Sequence, residues 1–282
     1  MKNPFQRIPT FVGTSLRIRN KIGSSKRRGE FCWLSEAYSL VKLLRDEDDD
    51  FLCERIADEN EVKMRKLIFW DVDTQYDFMM PDGKLYVTGA ETLANNLERL
   101  TGYARSHGLQ ICSSVDYHLV SDPEISDKPD YHDTFPPHCL QGTPGQEKIA
   151  ATRPVNPLWI DSKRYEANHL KSLFESHHGE IIFRKQKFDV FSNPNVLGVL
   201  EFLKPTDIVV YGVALDVCDA HAIEGFLRLG RYNIYLVKDA VKAIYEDKSR
   251  KLLETWTKRG VKMINTSDVE RGLLVKQEEI VN

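Results

Sequence analysis

Residues 207–230 read DIVVYGVALDVCDAHAIEGFLRLG, and the order of signals in that run decides the fold class. The β-branched stretch Ile208, Val209, Val210 leads into Gly212, which reads as a buried strand closing in a tight turn. Cys218 then opens a helical pattern in which Ala222, Phe226 and Leu229 share one face. A thiol at a helix N-terminus sits beside unpaired backbone N–H groups and the positive end of the dipole, which favour a thiolate and can hold a developing oxyanion. Cys218 is thus a candidate nucleophile; the alternative is a small buried side chain packing a helix on a sheet.

Outward from that unit, strand and helix patterns alternate. Strands are expected at 66–72, 109–115, 180–184, 207–211, 232–237 and 261–264, with helices at 90–107, 167–178, near 196–203, from Cys218, and at 249–258. Six strands separated by helices imply an α/β fold: a three-layer α/β/α sandwich around a six-stranded, mostly parallel sheet, Rossmann-like, with chemistry at the carboxyl ends of the strands. The connection from Asp116 to about Ser162 is long for a compact domain, which points to a functional role.

The 282 residues carry 41% apolar and 10% aromatic side chains, enough for a sizeable core. A net charge of −3 offers no basic field for nucleic acid, and no apolar run reaches bilayer length, so neither partner is expected. Five cysteines without a CxxC pair fit a reducing compartment, and the cytoplasm is the expected location. Residues 1–63 differ in composition: 1–29 are basic without an acid, 46–61 are densely acidic, and 31–44 have the spacing of one short helix. They read as an N-terminal extension, a lid or a targeting segment, with 64–282 as the main domain and Met64 a candidate start.

Polar residues gather at the strand ends. The first strand closes on Asp71, Val72, Asp73, Thr74, Gln75, Tyr76, Asp77, Phe78, and Asp73 is the candidate general base, a turn cap being the other reading. Lys185 closes the third strand and brings a cation to the same edge. Asp116 and His118 lie at i, i+2 on an extended segment, with His132 and His138 further along the loop, a donor set suited to a divalent metal.

These motifs, in this order, resemble the cysteine hydrolases that include nicotinamidase and isochorismatase, over Lys66 to about Asp268. The D-x-Q-x-D-F motif is seen in Asp73–Phe78; the lysine with aromatics three and six residues on is seen in Lys185, Phe188 and Phe191; the G-V/I-A-T-D-x-C turn is seen in Gly212–Cys218. Asp116-Tyr-His118 and Phe135-Pro-Pro-His138-Cys-Leu-Gln-Gly-Thr-Pro-Gly145 look like the metal pair and loop of the nicotinamidase branch. The resemblance implies Asp73, Lys185 and Cys218 as catalytic residues, a cis peptide before Ala214, an oxyanion hole from the Ala214 and Cys218 N–H groups, Phe78 and Phe135 as substrate walls, and Asp116, His118 and His138 as metal ligands. It leaves His132 open.

What it implies for function is a metal-dependent amidase that deaminates nicotinamide, or a similar small aromatic amide, through a cysteine thioester, with a place in NAD salvage. Zinc is the expected metal, with iron and manganese next. The alternatives are another small amide, a carbamoyl compound or the isochorismate vinyl ether as substrate, or a binding or regulatory member; monomer and homo-oligomer stay open. Phe135 stands where a tryptophan is common, Leu215 where a threonine is, and Asp219 where a small apolar residue is usual, which bears on substrate identity and on the charge beside the thiol.

Overall fold

In the computed structural model, the residues described are 66–274. The short helix expected at 31–44 and the rest of the N-terminal extension lie outside them. Seven strands form one parallel sheet: β1 (Leu67–Val72), β2 (Gln110–Asp116), β3 (Leu158–Ile160), β4 (Ile181–Lys185), β5 (Asp207–Val213), β6 (Asn233–Lys242) and β7 (Lys262–Ile264), in the spatial order β3-β4-β2-β1-β5-β6-β7. The helices are α1 (Tyr76–Met79), α2 (Ala94–Ser106), α3 (Ala167–Ser176), α4 (Val196–Leu203), α5 (Cys218–Leu229), α6 (Glu246–Lys258) and α7 (Thr266–Glu270).

Strand β1 is central and buried throughout, which is why Leu67–Val72 is apolar apart from Asp71. Successive side chains point to opposite faces: Ile68, Trp70 and Val72 pack with α3, α4, α5 and α6, while Leu67 and Phe69 pack with α2 and α7. Trp70 anchors the first face, stacked on Phe183 at 5.5 Å between ring centroids and edge-on to Phe226 at 4.9 Å. Helices therefore cover both faces, the layering expected for a parallel sheet.

The sheet has one strand more than expected. Leu158–Ile160 is only three residues long and sits in a connection without periodicity, yet it pairs with β4 at the sheet edge. β6 runs on past Val237, because Val241 and Lys242 pair with Gly212 and Val213 after an irregularity in the ladder; Lys238 and Asp239 interrupt the apolar pattern that a sequence reading follows. Gly212 has φ +132°, and a Cβ there would lie 2.0 Å from the Val72 carbonyl oxygen, so β1 and β5 close together only through a glycine.

Chain direction across the sheet reverses at β1, whose neighbours are β2 and β5. The carboxyl ends of β1, β2, β4 and β5 consequently open around one crevice, the usual position for a ligand in this class of sheet.

Candidate active site

Immediately after β1 the chain turns sharply at Asp73, whose φ of 47° is left-handed for a residue with a Cβ. The turn is held from β2: the Asp73 N–H donates to Ser114 O at 3.2 Å, and Ser114 Oγ donates to Asp73 Oδ1 at 2.7 Å. The other carboxylate oxygen faces Lys185 Nζ at 2.9 Å. Lys185 also bonds the Asp116 carboxylate, and its Nζ lies 3.6 Å from Cys218 Sγ. One ammonium at the end of β4 thereby joins the ends of β1 and β2 and the first residue of α5.

All of these groups are buried, and the electrostatics follow from that. Burial works against the Lys185 charge, but Asp116 and Asp73 outweigh it and hold the ammonium well above the usual lysine range. Burial likewise works against Asp116, while Lys185 and the two histidines hold its carboxyl well below the ordinary value. For Cys218 the balance differs. Burial pushes the thiol well above its ordinary value, Lys185 pulls it down, and Asp73 and Asp116 push it up again. Helix terminus and lysine, the two features visible in the sequence, favour a thiolate; burial and the two acids oppose it.

Asp116, His118 and His138 come together, with one candidate ligand atom from each within 4.8 Å of the others. Asp116 Oδ2 is 3.8 Å from His118 Nε2 and 3.7 Å from His138 Nε2. The His138 Nδ1 contacts Pro136 O at 2.8 Å, which leaves Nε2 for a ligand. His118 is fully buried and neither of its ring nitrogens makes a hydrogen bond among the described residues, so the residues present fit a cation that would supply the missing partner. Burial lowers the His118 pKa but Asp116 more than offsets it, leaving the imidazole above its ordinary value. His132 stays apart: its side chain is exposed and sits 3.0 Å from Asp133.

A cavity of about 420 Å³ lies over these groups, bounded by Phe78, Phe135, Asp116, His138, Ala214 and Cys218 among others. Phe78 and Phe135 have ring centroids 5.6 and 6.4 Å from that of His138. In the turn before α5, Val213–Ala214 is cis, Val217 and Asp219 N–H donate to Ala214 O, and Leu215 N–H donates to Lys242 O.

Several supporting residues were quoted in motifs without a role. Gln75 accepts from Asp116 N at 2.7 Å and donates to Asp116 O at 2.8 Å and Gln146 O at 2.8 Å, clamping the end of β2 to the loop. Asp77 accepts from Cys139 N at 2.7 Å and Lys84 N at 3.0 Å, and so anchors the residue after His138. Asp216 accepts from Ile244 N and Tyr245 N at the cavity edge. Asp122, outside those motifs, lies four residues after His118 and approaches its Nδ1 at 3.4 Å. A polar residue buried beside an apolar strand was the available signal for Gln75 and Asp77; Ser114 gave none, since a serine inside a strand has no distinguishing pattern.

A family model described as the isochorismatase domain matches residues 67–268. The chain belongs to the isochorismatase family. Among curated relatives, this isochorismatase-family hydrolase is 28% identical over 204 residues to the nicotinamidase/pyrazinamidase of Mycobacterium tuberculosis (strain ATCC 25618 / H37Rv), covering 72% of this chain and all of that protein. Among solved structures it resembles the pyrazinamidase of Pyrococcus horikoshii in complex with zinc, with a TM-score of 0.56, 21% identity, and 71% and 99% of the two chains covered. It also resembles the N-carbamoylsarcosine amidase of Thermoplasma acidophilum, with a TM-score of 0.55, 21% identity, and 73% and 99% covered. At those identities the structural likeness carries the isochorismatase-like α/β fold. No helix among the described residues is long and apolar enough to cross a membrane.

Proposed function

We propose that this protein is an amidase that hydrolyses nicotinamide, or a similar small aromatic amide, to the acid and ammonia through a thioester on Cys218. The observation that carries the reading is that Asp116 belongs to two groups at once: its carboxylate bonds the Lys185 ammonium beside the thiol and stands with His118 and His138 in the candidate metal cluster. Thiol chemistry and metal binding therefore share one cavity.

Asp73 takes the Cys218 proton as sulfur attacks the amide carbon, with Lys185 balancing the negative charge between them. The carbonyl oxygen becomes an oxyanion beside the Ala214 and Cys218 N–H groups, where each donor is worth roughly 3–4 kcal/mol in sites of this kind. Asp73 returns the proton to the leaving nitrogen, the C–N bond breaks, and ammonia departs from the thioester. Water then attacks, Asp73 accepts its proton, the C–S bond breaks, and the proton goes back to sulfur. Asp116, His118 and His138 would hold a divalent cation, zinc first given two imidazoles and one carboxylate, which supplies Lewis acidity for binding and orienting a ring nitrogen. Phe78 and Phe135 wall the ring and exclude water.

The test is ammonia release from nicotinamide, pyrazinamide and benzamide, before and after chelation. Nicotinamide turnover that falls on chelation through a higher KM, with benzamide a poor substrate in both states, supports the reading. Equal turnover of benzamide and nicotinamide, or full activity without metal, rejects it in favour of another amide or a carbamoyl substrate.

A further inference from the structure

Asp219 follows the candidate nucleophile in the first turn of α5 and is fully buried. Neither of its carboxyl oxygens has a hydrogen-bond partner among the described residues, and neither does Asp73 Oδ2, whose contact with Lys185 is an ion pair off hydrogen-bond geometry. The backbone fixes the residue in place, through the Asp219 N–H donating to Ala214 O at 3.2 Å. The charged groups whose fields act on it come from three other places. Asp71 and Asp73 stand at the end of β1, Asp216 in the turn before α5, and Lys185 at the end of β4. Each of the other acids is matched: Asp71 by Lys148 at 2.9 Å, Asp73 by Lys185 at 2.9 Å, and Asp216 by the N–H groups of Ile244 and Tyr245. Among the described residues Asp219 has no ion pair and no hydrogen-bond donor of its own, and an isolated buried carboxylate is neutralised rather than kept.

We propose that Asp219 is a positioning residue of the thiol centre: it stands as an un-ionised carboxylic acid and acts through Cys218 and Asp73 by keeping a further negative charge away from them. Asp219 transfers no proton; the proton that moves is that of Cys218. Burial, followed by Asp73, Asp71 and Asp216, pushes the Asp219 carboxyl well above the usual range, with Lys185 offsetting this only in part. An ionised Asp219 would add an anion to the group that holds Asp73, which together with Asp116 already opposes deprotonation of the thiol. The site is therefore expected to work while Asp219 keeps its proton and to weaken at high pH as that proton is lost.

The inference rests on the thiol chemistry proposed above, but its tests use no amide, so a failure of amide hydrolysis leaves them readable. In the unfolded chain this acid ionises near its ordinary value of 3.8, whereas the folded chain keeps the proton to higher pH. Unfolding then releases a proton, and stability falls as pH rises across that window. Asp219→Asn removes this loss, so its Tm relative to wild type should rise by at least about 3 °C between about pH 4.5 and pH 7.5. A flat or falling difference overturns the proposal. Cys218 alkylation at neutral pH should stay within about fivefold in Asp219→Asn, and its rise at alkaline pH should exceed that of wild type; a larger loss means that the ionised form is what the site uses. Wild-type protein gives a measurement independent of any variant's folding. Infrared spectra at neutral pH should contain a protonated-carboxyl band, lost in Asp219→Asn and kept in Asp71→Asn, and its absence from wild type overturns the proposal outright.

Discussion

Lys185 holds its ammonium between two buried carboxylates and a thiol, so its removal does more than delete one of the proposed catalytic groups. Lys185→Ala leaves Asp73 and Asp116 facing each other without a cation, and breaking a buried pair in this way costs about 3–5 kcal/mol. Turnover should fall by roughly a thousandfold or more, with a lower Tm. Cys218→Ala should abolish turnover with little loss of Tm, and Asp73→Asn should lower it by about 10²–10⁴. Because the three act as a unit, the double variants should be scarcely worse than the worst single one; additive losses in the kinetics would refute that. Cys139 is the internal control. Burial pushes its thiol well above the ordinary value and no part of it is exposed, whereas Cys218 opens on the cavity, so alkylation should label Cys218 first. Labelling of Cys139 first would reject Cys218 as nucleophile. The three candidate residues could be singled out in the sequence because each stands at a strand end or helix start, where the pattern changes. The protonation state of the thiol could not, because it depends on burial and on three charges from distant parts of the chain.

At the scale of elements, the candidate metal cluster depends on the segment between β2 and β3 keeping its shape with little regular structure. That shape comes from isolated bridges, His118 with Leu140 and Gln75 with Lys148, and from the side chains of Gln75 and Asp77. Gly145 is part of the anchor: a Cβ there would lie 2.1 Å from Asp77 Oδ2. Gly145→Ala should displace the Asp77 carboxylate, release Cys139 N–H, and lower both Tm and bound metal per chain. Cys218, on a different element, should alkylate at nearly the wild-type rate. Unchanged metal content and Tm would show that the loop is held by other contacts. The spacing of Phe188 and Phe191 after Lys185 has a similar physical basis. Phe188 stacks beside His221 on α5 at 6.1 Å, and Phe191 fills the space over Gly225, where a Cβ would lie 2.0 Å from its ring. The sequence displayed this motif but not its partners, since Gly225 inside a helix carries no mark of what packs on it. β3 escaped notice for the opposite reason: three residues at a sheet edge are too few to show a period.

Across the whole molecule, the helices obey the handedness of parallel crossovers. The β1-to-β2 step moves one way along the sheet and puts α2 on one face; steps from β4 to β5, β5 to β6 and β6 to β7 move the other way and put α4, α5 and α6 on the opposite face. Strand order is invisible in the sequence, but alternating strands and helices with acids and a cysteine at their ends leave few arrangements that gather those groups, which is why the site was more legible than the sheet order. The same architecture indicates where the chain can be cut. The first described strand is also the central one, paired with β2 and β5, so all seven described strands lie from Leu67 onward. Lys66 is needed as well: its N–H donates to Thr206 Oγ1 at 2.8 Å, and its carbonyl accepts from Thr206 N and Asp207 N at 3.0 and 3.3 Å. We therefore propose that a chain beginning at Met64 folds alone, with a Tm within about 3 °C of the full chain and unchanged turnover. A chain beginning at Leu67 loses the Lys66 bonds, each worth about 0.5–1.5 kcal/mol, and should melt roughly 5–10 °C lower. Thermal melts of the two truncations beside the full chain decide the matter, because an insoluble or equally destabilised Met64 chain would place part of the folding unit within residues 1–63.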